Sequence, residues 1–170
     1  MYRVKYVKTW LDNVAIGSIL ILISVNNVVA DTPQGAVKSD IGNCWVEAGK
    51  RYDIDPWLLF SIAQTESSLN PSAINQNANS IDVGLMQINS FWFPPLKEMG
   101  INKNDLFEPC LNIHVGAWIL AQSIQSFGNT WEAVGAYNAG TGKNEKANKQ
   151  RKVYAERVYK RFVANAGGMR

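Results

Sequence analysis

Glu66 is the residue whose type and position promise chemistry. Leu59, Ile62, Ala63 and Glu66 fall at i, i+3, i+4 and i+7, so the glutamate completes an otherwise apolar helical stripe. A carboxyl held among apolar neighbours disfavours its charged form, so its pKa rises. That is how a glutamate becomes a general acid near neutral pH. The spacing alone leaves a second reading open, a glutamate near a helix end that reaches solvent. His114, the single histidine, lacks the further ligands of a coordination set and is expected to be structural. Cys44 and Cys110 are too few for a cysteine zinc site. Neither a metal nor an organic cofactor is expected.

The element that carries Glu66 has clear punctuation. Asp55 can cap a helix that starts at Pro56, and Leu69 with Asn70-Pro71 should end it. Before it, residues 43–52 have helical spacing. After it, the Asn- and Ser-rich stretch 71–83 reads as loop, and Asp82 to Asn89 as part of a small two- or three-stranded β-hairpin. Phe91 to Met99 reads as a short helix interrupted by Pro94-Pro95. Pro109 to Phe127 is the longest clean helix, stopped by Gly128, and Thr130 to Tyr137 is another. Residues 141–150 read as a polar loop and 151–164 as a last amphipathic helix, with Tyr154, Val158 and Phe162 on its apolar side. The sum is an α+β domain, mainly α.

Composition narrows the class. With 170 residues, 46% hydrophobic and 18% charged, the chain is neither disordered nor a multi-span membrane protein. The net charge of +3 hides a polarity: +2 over residues 1–30, −6 over 31–142 and +7 over 143–170. Arg3, Lys5 and Lys8 precede a 12-residue apolar stretch from Val14 to Val25, and Val28-Val29-Ala30 offers a cleavage site. Residues 1–30 are therefore expected to be a signal peptide that exports the chain. Residues 31–42 read as a short leader, 43–142 as the catalytic domain and 143–170 as a basic loop and helix packed upon it. In an oxidising compartment Cys44 and Cys110 most simply form one disulfide; a catalytic cysteine beside His114 is the alternative.

Three ordered motifs surround the glutamate. Glu66-Ser67 is followed by Asn70-Pro71, then Gly84-Leu85-Met86-Gln87-Ile88-Asn89, then Ala136-Tyr137-Asn138-Ala139-Gly140. Together they resemble the soluble lytic transglycosylase family, whose fold is that of goose-type lysozyme. The closest likeness is to small exported members that accompany secretion systems and conjugative pili. The resemblance implies peptidoglycan glycan strands as substrate and Glu66 as catalytic acid, then base. It also implies that Ser67, Asn75, Met86, Gln87, Asn89, Tyr137 and Asn138 line or support a glycan groove, with Tyr137 hydrogen-bonded near the catalytic carboxyl.

Asp82 lies two residues before Gly84. Paired carboxylates in hydrolytic glycosidases stand ~5–5.5 Å apart when retaining and ~6.5–9.5 Å apart when inverting, and Asp82 is expected to fall within that span of Glu66. Otherwise it is a turn residue of the Asn-rich loop. Trp92 follows the Gln87 motif and could stack on sugar. The expected activity is a lytic transglycosylase. A hydrolytic muramidase using Glu66 and Asp82 and a non-catalytic wall-binding subunit are the rivals. Nucleic acid is not expected as a partner, since no motif for it is present; secretion or pilus components are, and the chain should act as a monomer.

Overall fold

A computed structural model describes residues 41–167. The expected signal peptide and most of the expected leader lie outside these residues. The last two leader positions, Ile41 and Gly42, already belong to a helix.

Six helices frame the described chain: α1 (Ile41–Tyr52), α2 (Pro56–Ser67), α3 (Phe93–Glu98), α4 (Pro109–Phe127), α5 (Trp131–Ala139) and α6 (Glu145–Gly167). Between α2 and α3 a small antiparallel sheet runs in the order β1 (Ile74–Gln76), β2 (Ile81–Val83), β3 (Ile88–Asn89). The mainly α, α+β architecture is as the sequence predicts. The Asn-rich stretch read as loop supplies the third strand, β1.

Local chemistry sets the helix ends. Asp55 accepts a hydrogen bond from the Trp57 amide at 2.8 Å, and Pro56 occupies the first helical position of α2. The helix stops at Ser67, earlier than Asn70-Pro71 predicts. Ser68 and Leu69 adopt left-handed backbone with φ of 53° and 66°. The Ser67 hydroxyl draws the chain around, donating to the Leu85 carbonyl at 2.7 Å and accepting from the Asn70 amide at 3.1 Å. Pro94 and Pro95 do not interrupt α3; they stand in its first turn, where their missing N–H groups cost no bond. α6 begins six residues before the predicted start. Asn144 caps it by accepting from the Ala147 amide at 2.8 Å, and its polar first turns bury only Ala147 before Arg151.

α4 runs through the core and buries Ile113, Val115, Ala117, Ile119 and Leu120 against α1, α5 and the sheet. Leu59 and Ile62 of α2 are fully buried in the same core, each contributing about 1.5–3 kcal/mol. Cys44 of α1 and Cys110 of α4 form the expected disulfide, with Cα atoms 5.4 Å apart. The catalytic-cysteine alternative falls with it.

One buried polar side chain shapes the loop between β2 and β3. Asn112, fully buried on α4, accepts from the Met86 amide at 2.7 Å and donates to the carbonyls of Val83 at 3.1 Å and Leu106 at 2.7 Å. Gly84 passes so close, with φ of 78°, that an added Cβ would lie 2.3 Å from the Asn112 amide nitrogen. Asn112→Ala would take a hydrogen-bond partner from the Met86 amide and from the carbonyls of Val83 and Leu106. It is expected to cost about 3 kcal/mol in urea unfolding; a loss below about 0.5 kcal/mol would mean the loop holds itself.

Arg151 closes the C-terminal side. It is buried, donates to the carbonyls of Gly140 at 3.0 Å and Gly142 at 2.8 Å, and also bonds the Asn148 side chain. Its Nε lies 3.3 Å from a Glu132 carboxylate oxygen. This member of the basic segment ties α6 to the loop after α5 instead of facing solvent.

Candidate active site

Glu66 stands in the last turn of α2, one turn beyond fully buried Ile62 and Ala63. Its Oε1 accepts a hydrogen bond of 2.5 Å from the hydroxyl of Tyr154, a buried residue of α6. The carboxyl is pushed up from 4.5 to about 7. Burial is the main cause; the Tyr154 hydrogen bond opposes it, the negative charge of Asp82 adds to it, and the positive charge of Arg157 opposes it. Near neutral pH the group can therefore both give and take a proton.

Asp82 sits in the middle of β2, opposite Asn75 of β1 and Asn89 of β3. Amides surround its carboxylate. Asn89 donates to Oδ1 at 2.6 Å, while Asn77 at 2.8 Å and Asn75 at 3.5 Å donate to Oδ2. Its charge acts on both Glu66 and Tyr137. The Asn-rich stretch thus does more than turn the chain, because its side chains hold an acid whose field reaches the glutamate.

The other expected groove residues divide by what their polar atoms are doing. Tyr137 of α5 donates to the Met86 carbonyl at 2.8 Å, and burial holds its phenol well above the usual range. The charge of Glu66 acts on Tyr137, while the tyrosine bonded to Glu66 itself is Tyr154. Met86 offers no side chain to a groove: it is fully buried, packs on Gly116, and takes part through its backbone. Gln87, at φ of 49°, donates to the carbonyls of Gly84 at 2.9 Å and Ala73 at 3.3 Å, bracing the loop. Ser67 is likewise spent on the backbone. Asn89 donates to Asp82 and to Ser80, and accepts from the Phe91 amide. Asn75 and Asn138 are exposed. Trp92 is half-buried, edge-on to Trp118 at 5.2 Å and to exposed Phe91 at 5.3 Å.

Two residues at this site were not singled out for it in the sequence. Tyr154 reads there only as the apolar side of the last helix, and Arg157 only as one charge of the basic segment 143–170. Their separation from Glu66, 88 residues for Tyr154, leaves no local signal. His114 is partly exposed and its pKa is lowered, by burial first and then by Arg51. Among the described residues no group of three His, Cys, Asp or Glu side chains could hold a metal ion. No described helix is long and apolar enough to cross a membrane.

The sequence profile of the family described as the transglycosylase SLT domain matches residues 43–160. The chain belongs to that family. Its enzyme class is accordingly that of the peptidoglycan lytic transglycosylases. The invasion protein IagB of Salmonella typhimurium is 43% identical over 143 residues, 83% of this chain and 81% of its own length. Protein IpgF of Shigella flexneri is 47% identical over 123 residues, 71% of this chain and 80% of its own. The X-ray structure of an inactive variant of the lytic transglycosylase Slt from Pseudomonas aeruginosa superposes with a TM-score of 0.60. At 22% identity, over 75% of this chain and 24% of that one, it establishes a shared fold. The SLT domain match runs to residue 160, so it takes in both Tyr154 and Arg157.

For this SLT domain, Tyr154→Phe is a sensitive probe. Removing the hydroxyl deletes a donor that favours the charged form of Glu66, so the carboxyl should rise further. Activity that depends on protonated Glu66 falls as pH rises through its pKa. The alkaline limb of the kcat profile should therefore move to higher pH. Loss of a fixed orientation should lower kcat by about tenfold to a hundredfold. An unmoved limb would show that the Tyr154 hydroxyl does not tune the acid.

Proposed function

We propose that this SLT-domain protein cleaves the β-1,4 bond between N-acetylmuramic acid and N-acetylglucosamine without water, leaving 1,6-anhydro ends. The observation that carries the reading is a single glutamate poised at about 7, held on one oxygen by Tyr154. Protonated Glu66 gives its proton to the glycosidic oxygen, the C1–O bond breaks, and the N-acetylglucosamine end leaves as an alcohol. The substrate's N-acetyl oxygen meets the positive charge at C1, so no second carboxylate is required. Glu66, now a carboxylate, takes the proton of the C6 hydroxyl while O6 closes on C1. The glutamate ends protonated, ready for the next bond. With Tyr154 on Oε1, the other oxygen is left to carry the travelling proton.

A second reading, hydrolysis with Asp82 as partner, is favoured by one feature. Three amides keep Asp82 oriented, and its field reaches Glu66. Mass spectrometry of peptidoglycan digests separates the two. Anhydro ends, with Asp82→Asn losing less than about tenfold in rate, support transglycosylation. Reducing ends, with Asp82→Asn as damaging as loss of Glu66, support the muramidase.

The cellular task we propose is local opening of the wall for an envelope-spanning apparatus, as an exported periplasmic protein. The invasion-protein relative and the basic, apolar opening of the chain support it. Retention of the protein in the cytoplasm on cell fractionation would remove this part of the reading.

A further inference from the structure

We infer that Arg157 is a specificity residue that reads carboxylates of the bound glycan strand at the rim of the Glu66 site. The inference rests on the lytic reading above, because that reading makes the substrate anionic. Muramic acid carries a lactyl carboxyl, free or extended into a peptide with carboxylates of its own.

Three observations converge on Arg157. Its guanidinium carbon lies 5.5 Å from the centroid of the Tyr154 ring, and the Tyr154 hydroxyl is 2.5 Å from Glu66 Oε1. One aromatic side chain therefore separates an exposed cation from the reacting carboxyl. Second, no carboxylate of the described residues lies within ion-pair distance of it, unlike Arg151, which is paired with Glu132. It is held over an aromatic face instead, and a guanidinium stacked in this way keeps its in-plane N–H donors for a ligand. Third, the segment that contains Glu66 and Asp82 has a net charge of −6. An anionic strand approaching that segment meets repulsion, and Arg157 is the cation whose charge acts on Glu66. The planar fork of arginine matches a carboxylate at two points, which a lysine would not.

The test compares native peptidoglycan with the same material after carbodiimide amidation, which caps its carboxylates as neutral amides. Rates are read at about pH 5.5, where Glu66 is protonated in every variant, so that a change in its pKa does not enter. On native substrate Arg157→Gln should lower kcat/KM by about fivefold to tenfold, chiefly through KM, and Arg157→Lys should lose less. On amidated substrate the gap between wild type and Arg157→Gln should close. An equal loss on both substrates would overturn the proposal and make Arg157 a residue that acts on Glu66 through Tyr154. No loss on either would overturn it outright. Failure of wild type to release anhydro products from native material is a separate result, visible without any variant, and would sink the lytic reading itself.

Discussion

Glu66→Gln is expected to lower kcat on peptidoglycan by at least about 10³-fold, because in the proposed mechanism one residue serves as both acid and base and glutamine can do neither. The same substitution should stabilise the fold. In the wild type the carboxyl is raised from 4.5 to about 7, so folding favours its protonated form. Below about pH 4.5 the group is protonated whether folded or not, and it contributes no penalty. Between 4.5 and 7 the folded state binds more protons than the unfolded one, and stability falls as pH rises. Above about 7 the full penalty is present, up to about 3 kcal/mol by the size of the shift. Glutamine carries no charge at any pH. Thermal unfolding at pH 8 should therefore show Glu66→Gln more stable than wild type, with the two converging near pH 4. If the variant were inactive and also less stable at pH 8, the loss of rate would report damage to the site instead of loss of an acid.

Removal of the Cys44–Cys110 disulfide carries the largest expected effect on stability. The bridge joins positions 66 apart in sequence, tying α1 to the first turn of α4. Closing such a loop removes chain entropy from the unfolded state worth about 4 kcal/mol. That is a large share of the 5–15 kcal/mol roughly expected for a whole domain. The paired substitution of both cysteines by alanine should lower the urea midpoint accordingly, with activity retained at low temperature because the bridge joins α1 to α4 while Glu66 stands on α2. A loss under about 1 kcal/mol would mean that the unfolded chain is already restrained in this region. A loss of activity in fully folded protein would mean that α1 and α4 set the geometry of the site through the bridge.

Much of the site was legible because its parts are local. The start of α2, its apolar face and the glutamate upon it follow from cap chemistry and period. The ordered motifs that carry the family resemblance are short runs of adjacent residues. The full extent of α4 follows from Pro109, the apolar repeat and Gly128. The early end of α2 depends on Ser67 bonding Leu85, 18 residues away, which no cap rule anticipates. The first turns of α6 are polar, so periodicity had nothing to register until Arg151. The burial of Arg151 has no local signal either, because the carbonyls that make it tolerable come from the loop after α5. Met86 was set in the groove by its place in a motif, but the motif serves through its backbone.

The sequence by itself determined the class of the domain, the place of Glu66 on the apolar face of its helix and the pairing of the cysteines, because each rests on neighbours within a few residues or on counting. Only the tertiary structure decided how the acid is tuned. Tyr154 and Arg157 come to Glu66 from a helix at the far end of the chain, and Asp82 from a sheet whose asparagines hold it. A pKa depends on burial and on charges in space, and those are set by packing between elements that lie far apart in the chain.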